Sequence, residues 1–157
     1  MGKEAMNTRF FTVPGSDRKY DRNIILAVLL ISLMMSLLQV SSVNNLLPSI
    51  HSALATSDSA TQWILSGFTL AIGVMLVPAG RMGDLAGRSG MFVLGLGVFV
   101  LASLGCGLAT APIVLNIMRV FQGFGAGIYS PQVTGMILQY FQGKARAKAF
   151  GLMGLVV

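Results

Sequence analysis

Apolar residues run in long unbroken stretches along this chain, not in alternation or as an amphipathic stripe. The stretches cover about residues 24–47, 62–80, 91–109 and 112–141, and a further one opens near 147 and runs to 157. A helix needs roughly 20 apolar residues to cross a bilayer, with a range of about 17 to 25. The first four stretches meet that length, so the pattern predicts an all-α, multi-pass membrane protein with four transmembrane helices and the start of a fifth. Residues 1–23 are polar and basic and read as a tail preceding a retained first helix. The apolar core of that helix outlasts the ~7–15 residues of a signal peptide, and no clear small-residue cleavage site follows it.

Composition fits the same solvent. Only 10% of the 157 residues are charged while 54% are hydrophobic, against about a quarter charged in an ordinary soluble domain. A formal net charge of +6 raises the question of nucleic acid, and the placement of the charge answers it. Ten of the eleven Lys and Arg residues fall in three short polar segments, from Lys3 to Arg22, from Arg81 to Arg88 and from Lys144 to Lys148. No aromatic residues interleave them in the manner of a nucleic-acid surface. The connections at 48–61 and 110–111 contain no Lys or Arg. Basic loops are retained on the cytoplasmic side, so the alternation predicts a cytoplasmic N-terminus in a cell membrane.

Cys106 and His51 are each single in the chain, which leaves no Cys-based metal site and no intrachain disulfide. No nucleophile, base and orienting residue form a recognisable catalytic set, so an enzyme is not expected.

Polar residues inside the apolar stretches carry more information. Arg119 is the one charged residue within the fourth stretch, and an arginine there costs about 2.5–3.5 kcal/mol on insertion scales. It is expected to face the bundle interior. Gly123 and Gly127 form a G-x-x-x-G face on the same helix, and Gly95, Gly97, Gly105 and Gly107 thin the third helix, so close backbone packing is expected. Pro131 is expected to kink the fourth helix.

Three strings resemble one known family. Gly80-Arg-Met-Gly83-Asp84-Leu-Ala-Gly87-Arg88 resembles the loop between helices two and three of the major facilitator superfamily, with Gly83 and Gly87 expected to permit a tight turn and Asp84 and Arg88 four residues apart. Arg119-Val-Phe-Gln122-Gly123-Phe-Gly125 is similar to that family's helix-four motif, where the arginine is associated with proton coupling. Leu38-Gln39-Val-Ser-Ser-Val-Asn44-Asn-Leu-Leu-Pro48 resembles the first-helix pattern of its fourteen-helix drug:proton antiporters. Val43, Asn44, Leu47 and Pro48 match that pattern, Ser41 replaces a threonine, and Gln39 stands where the pattern has an acid. The strings Trp63 to Leu70 and Ser130-Pro131-Gln132 look like the same branch.

The resemblance implies residues 24–157 as part of a major-facilitator N-terminal bundle in a bacterial membrane. It implies proton-coupled efflux of small amphipathic, often cationic compounds, powered by the proton gradient with no cofactor, and partnership with a remaining half. One partial bundle is not expected to transport alone. Gln39 and Asn44 are expected to line a cavity, and a Gln39–Arg119 contact is suggested by depth, since Gln39 lies roughly 22 Å from the cytoplasmic end and Arg119 about 10 Å inside the outer end at ~1.5 Å per residue. None of the five acids, Glu4, Asp17, Asp21, Asp58 and Asp84, lies in a helix core, so no proton-binding group is evident. A sugar or metabolite carrier of the same superfamily, or a non-transporting small membrane protein that binds partner helices, would also fit the loop and the glycine faces.

Overall fold

A computed structural model describes residues 10–12, 19–53 and 58–156. Five helices follow a short hairpin: α1 (Arg22–Ala53), α2 (Asp58–Ala86), α3 (Arg88–Gly107), α4 (Pro112–Tyr140) and α5 (Gly143–Val156). In the hairpin, β1 (Phe10–Thr12) pairs antiparallel with β2 (Lys19–Asp21), Phe11 standing opposite Tyr20. This small element is an addition to the helical architecture that the apolar stretches predict.

The helices outlast their apolar stretches. α1 continues through Pro48 and α2 through Pro78. A proline removes one backbone donor, but the turns on either side keep their own bonds and the helix persists. Likewise α4 runs unbroken past Pro131 from a proline-initiated first turn, a position where the missing N–H costs nothing.

By length and apolar composition, three of the described helices can cross a membrane: Asn23–Leu46, Ser59–Ala86 and Arg88–Gly107. α4 has the length, at 29 residues, but a more polar sequence than the spans around it. Asn116, Arg119, Gln122 and Gln132 interrupt it, and the last three are buried. The position of α4 explains this: it packs extensively against both α2 and α3, so little of its surface meets lipid and its polar side chains turn inward. Among the described residues three of the four expected spans meet that criterion of length and apolarity, and α4 falls outside it because of its inward polar face.

Lipid offers no hydrophobic gain for helix association, so close contact and buried polar bonds must hold the bundle. A Cβ at Gly123 would lie 2.4 Å from the Phe68 carbonyl oxygen of α2, and one at Gly127 would lie 2.9 Å from that of Ile72. On the next face, a Cβ at Gly125 would sit 2.5 Å from the Phe99 nitrogen of α3. Gly123 and Gly127 thus admit α2 while Gly125 admits α3. Of the α3 glycines, Gly95 and Gly105 meet α4, whereas Gly97 and Gly107 face open space, which narrows the expected set to two.

Leu29, Leu33, Phe68, Phe92, Phe99, Tyr129 and Val133 fill the core. The outer faces remain apolar, with Val77 73% and Leu101 70% exposed, as surfaces that meet lipid or further helices should be.

Candidate functional site

Arg119 is 1% exposed and sits between α2 and α4. Its Nε donates to the Ile64 carbonyl at 3.2 Å and its Nη1 to Gln122 Oε1 at 2.7 Å. The Phe68 ring lies beneath the guanidinium, 4.4 Å from Cζ to the centroid, a distance at which a π face attracts a cation. Gln122 is fully buried and also receives Gln39 Nε2 of α1 at 3.4 Å and the Cys106 thiol of α3 at 3.9 Å. Three helices, α1, α3 and α4, therefore converge on one amide oxygen, and Arg119 links it to the backbone of α2. Two donors in this cluster, Arg119 Nη2 and Gln122 Nε2, are buried without a partner.

The expected inward orientation of Arg119 is what the structure shows. The expected Gln39–Arg119 contact is not: Gln39 reaches Gln122, one turn further along α4, and the two residues communicate through that amide. Asn44 is exposed on α1, away from the cluster, because it lies five residues beyond Gln39 and so points to a different side of the helix.

The segment Gly80 to Arg88 differs from a turn. Gly80, Gly83 and Asp84 belong to the last turns of α2, and the break is confined to Gly87, whose φ of 99° lies where a Cβ is disfavoured. Gly83 serves contact instead of turning, since a Cβ there would stand 1.9 Å from Gln132 Oε1. Arg88 Nη2 meets Asp84 Oδ1 at 2.5 Å as an exposed i,i+4 pair. Its guanidinium also lies over Gly135 of α4, leaving no room for a Cβ there. A polar cleft of about 390 Å³ is lined by Gly83, Asp84, Gly87, Arg88, Gly135 and Gln139.

Several positioning contacts had no clear sequence signal. Tyr129 is fully buried; its hydroxyl donates to the Ser32 carbonyl at 3.1 Å and pairs with Ser36 Oγ, pinning α1 to α4. Phe92 and Phe99 meet its ring edge to face. Gln132 Nε2 donates to the Ala79 carbonyl at 2.7 Å, tying α4 to α2 near the break. Arg146 closes the end of α4 by donating to the carbonyls of Phe141 at 2.8 Å and Leu138 at 2.6 Å, groups that a helix terminus leaves unpaired. A tyrosine or glutamine in an apolar run announces burial, but not its partner.

Comparison with known proteins identifies the family. The family profile described as Major Facilitator Superfamily matches residues 29–157. A Streptomyces coelicolor protein named "Probable actinorhodin transporter" is 41% identical over 82% of this chain and 22% of its own length. The puromycin resistance protein of Streptomyces alboniger is 37% identical over 83% of the chain and 26% of its own. For the methylenomycin A resistance protein of Bacillus subtilis the figures are 31%, 85% and 29%. The chain thus spans about a quarter of the length of these curated relatives, whose names fall in the drug- and antibiotic-resistance branch that the helix-one and helix-four strings resemble. With the match covering most of the chain and every helix of the bundle, the chain belongs to the Major Facilitator Superfamily.

Proposed function

We propose that this chain forms part of the N-terminal bundle of a bacterial exporter that uses a proton gradient to expel amphipathic drug-like molecules. One observation carries the reading: Arg119, a cation with 1% exposure, held between α2 and α4 by an amide and a backbone carbonyl. An intramembrane ionisable residue is costly and marks a transport or relay pathway. The names of the relatives, which refer to a probable actinorhodin transporter and to resistance against puromycin and methylenomycin A, point to drug-like cargo.

Orientation belongs to the same proposal. Basic residues at the N-terminus, at the α2–α3 break and at the start of α5 favour a cytoplasmic face for all three. Alternating access needs two bundles rocking about a midplane site, so the chain by itself is expected not to pump.

The test is a chimaera in which this chain replaces the matching segment of the actinorhodin-transporter relative, expressed in an efflux-deficient bacterium. The chimaera should raise resistance to amphipathic antibiotics, lose that effect with a protonophore, and fall to the vector level with Arg119→Gln. Undiminished resistance in Arg119→Gln would remove the role assigned to Arg119. Efflux that survives collapse of the gradient would remove proton coupling.

A further inference from the structure

We propose that the Arg119–Gln122–Gln39 cluster is an anion-recognition site that takes the carboxylate of an amphipathic substrate. The inference rests on the exporter reading and specifies its cargo.

The argument is a count of donors and acceptors. Gln122 Oε1 has two lone pairs and three donors turned towards it, from Arg119, Gln39 and Cys106. Meanwhile Arg119 Nη2 and Gln122 Nε2 have no acceptor. Turning the Gln122 amide over would not help, because its NH2 would then face the guanidinium. The excess of donors survives either assignment of the amide. A buried water could accept from these donors, but it would leave the positive charge in place. Buried charges are paired or they destabilise the fold.

Among the described side chains, no carboxylate pairs with Arg119. The segments 22–57 and 85–157 contain no Asp or Glu at all. Asp84 lies 20 residues beyond Ile64 on α2, about 30 Å at ~1.5 Å per residue. Asp58 opens that helix six residues before Ile64, about 9 Å away on the same rise. Gln39 of α1 brings a further donor to the cluster and no negative charge. The surplus charge and the surplus hydrogens thus call for the same ligand group: a planar anion with two acceptor oxygens, which suits the fork of a guanidinium. Gln39 is half-buried, and its bond to Gln122 is long at 3.4 Å, so it is the member a ligand would displace. A cationic substrate would be repelled by Arg119 at this point.

The experiment uses the chain reconstituted in nanodiscs, with benzoate as the probe and benzyl alcohol and benzylammonium as its neutral and cationic counterparts. Two readouts are followed: the unfolding midpoint, and the rate at which Cys106, beside Gln122, reacts with a maleimide. Benzoate should raise the midpoint by about 4 °C at saturation and slow the labelling several-fold, while the counterparts do neither. Arg119→Gln should abolish both effects, and Asp58→Asn should leave them intact. Gln122→Glu supplies an internal anion, so it should raise the midpoint without ligand and remove the benzoate response. That variant tests the idea even if Arg119→Gln does not fold.

Equal stabilisation by benzylammonium, an effect matched by chloride alone, or a Gln122→Glu variant that still responds to benzoate would each overturn the proposal. Repeating the titration on the chimaera separates the two sources of a carboxylate. Retained benzoate binding supports a substrate, and its loss would assign the donors to a side chain of another helix and overturn the substrate claim. Export of cationic or neutral drugs with no benzoate response would sink this inference alone. Benzoate binding without any efflux would sink the exporter reading instead.

Discussion

A methyl group added at Gly123 would lie 2.4 Å from a backbone oxygen of α2, while one at Gly97 would meet nothing within 4 Å. The two positions therefore separate packing from glycine content. Gly123→Ala should cost about 1–3 kcal/mol, the usual range for overpacking, because backbone and not a flexible side chain must yield. Gly97→Ala should be neutral or slightly stabilising, as expected for an open helical site; thermal unfolding in detergent distinguishes them. Tyr129 makes a second residue-scale case. Tyr129→Phe keeps the edge-to-face contacts with Phe92 and Phe99 but leaves the Ser32 carbonyl and Ser36 without their partner. A loss of about 1 kcal/mol is expected, with loosening confined to α1, which has few other contacts with α4. Hydrogen exchange localised to α1 would support that assignment, and uniform loss across the bundle would oppose it.

At the scale of elements, the connection between α2 and α3 is a one-residue hinge. Because Gly87 has φ 99°, Gly87→Ala should destabilise by roughly 1–2 kcal/mol. Asp84→Asn removes only an exposed pair, worth under about 1 kcal/mol, and the difference between the two variants can be read in one unfolding series. The positions of α1, α2, α3 and α4 were legible in the sequence because each apolar run is long enough to span and is set off by a basic, polar or proline-bearing break. Their ends were not legible. Pro48, Pro78 and the glycines from 80 to 87 look like terminators, yet the bundle carries the helices past all but Gly87. The role of Gly83 was hidden for a related reason: its need for space comes from Gln132, about a third of the chain away in sequence. Arg119 was readable as a buried charge from its cost alone. Its partner was not, since Gln39 and Gln122 are equally plausible from depth, and only the helix rotation selects Gln122.

Over the whole molecule, α4 acts as the axis on which α2 and α3 pack and to which Tyr129 and Gln122 attach α1. The inward-facing polar residues that lower the apolarity of α4 are the same ones that gather Arg119, Gln122 and Gln132 in the core. All of this requires that the helices thread a bilayer in alternating directions, with the basic connections on one side. Thiol labelling of intact cells tests it most directly, using a Cys106→Ala background with Thr56→Cys between α1 and α2, or Lys144→Cys at the start of α5. A membrane-impermeant maleimide should label the Thr56→Cys chain at once and the Lys144→Cys chain only after permeabilisation. Labelling of both from outside, or the reverse order, would contradict the topology.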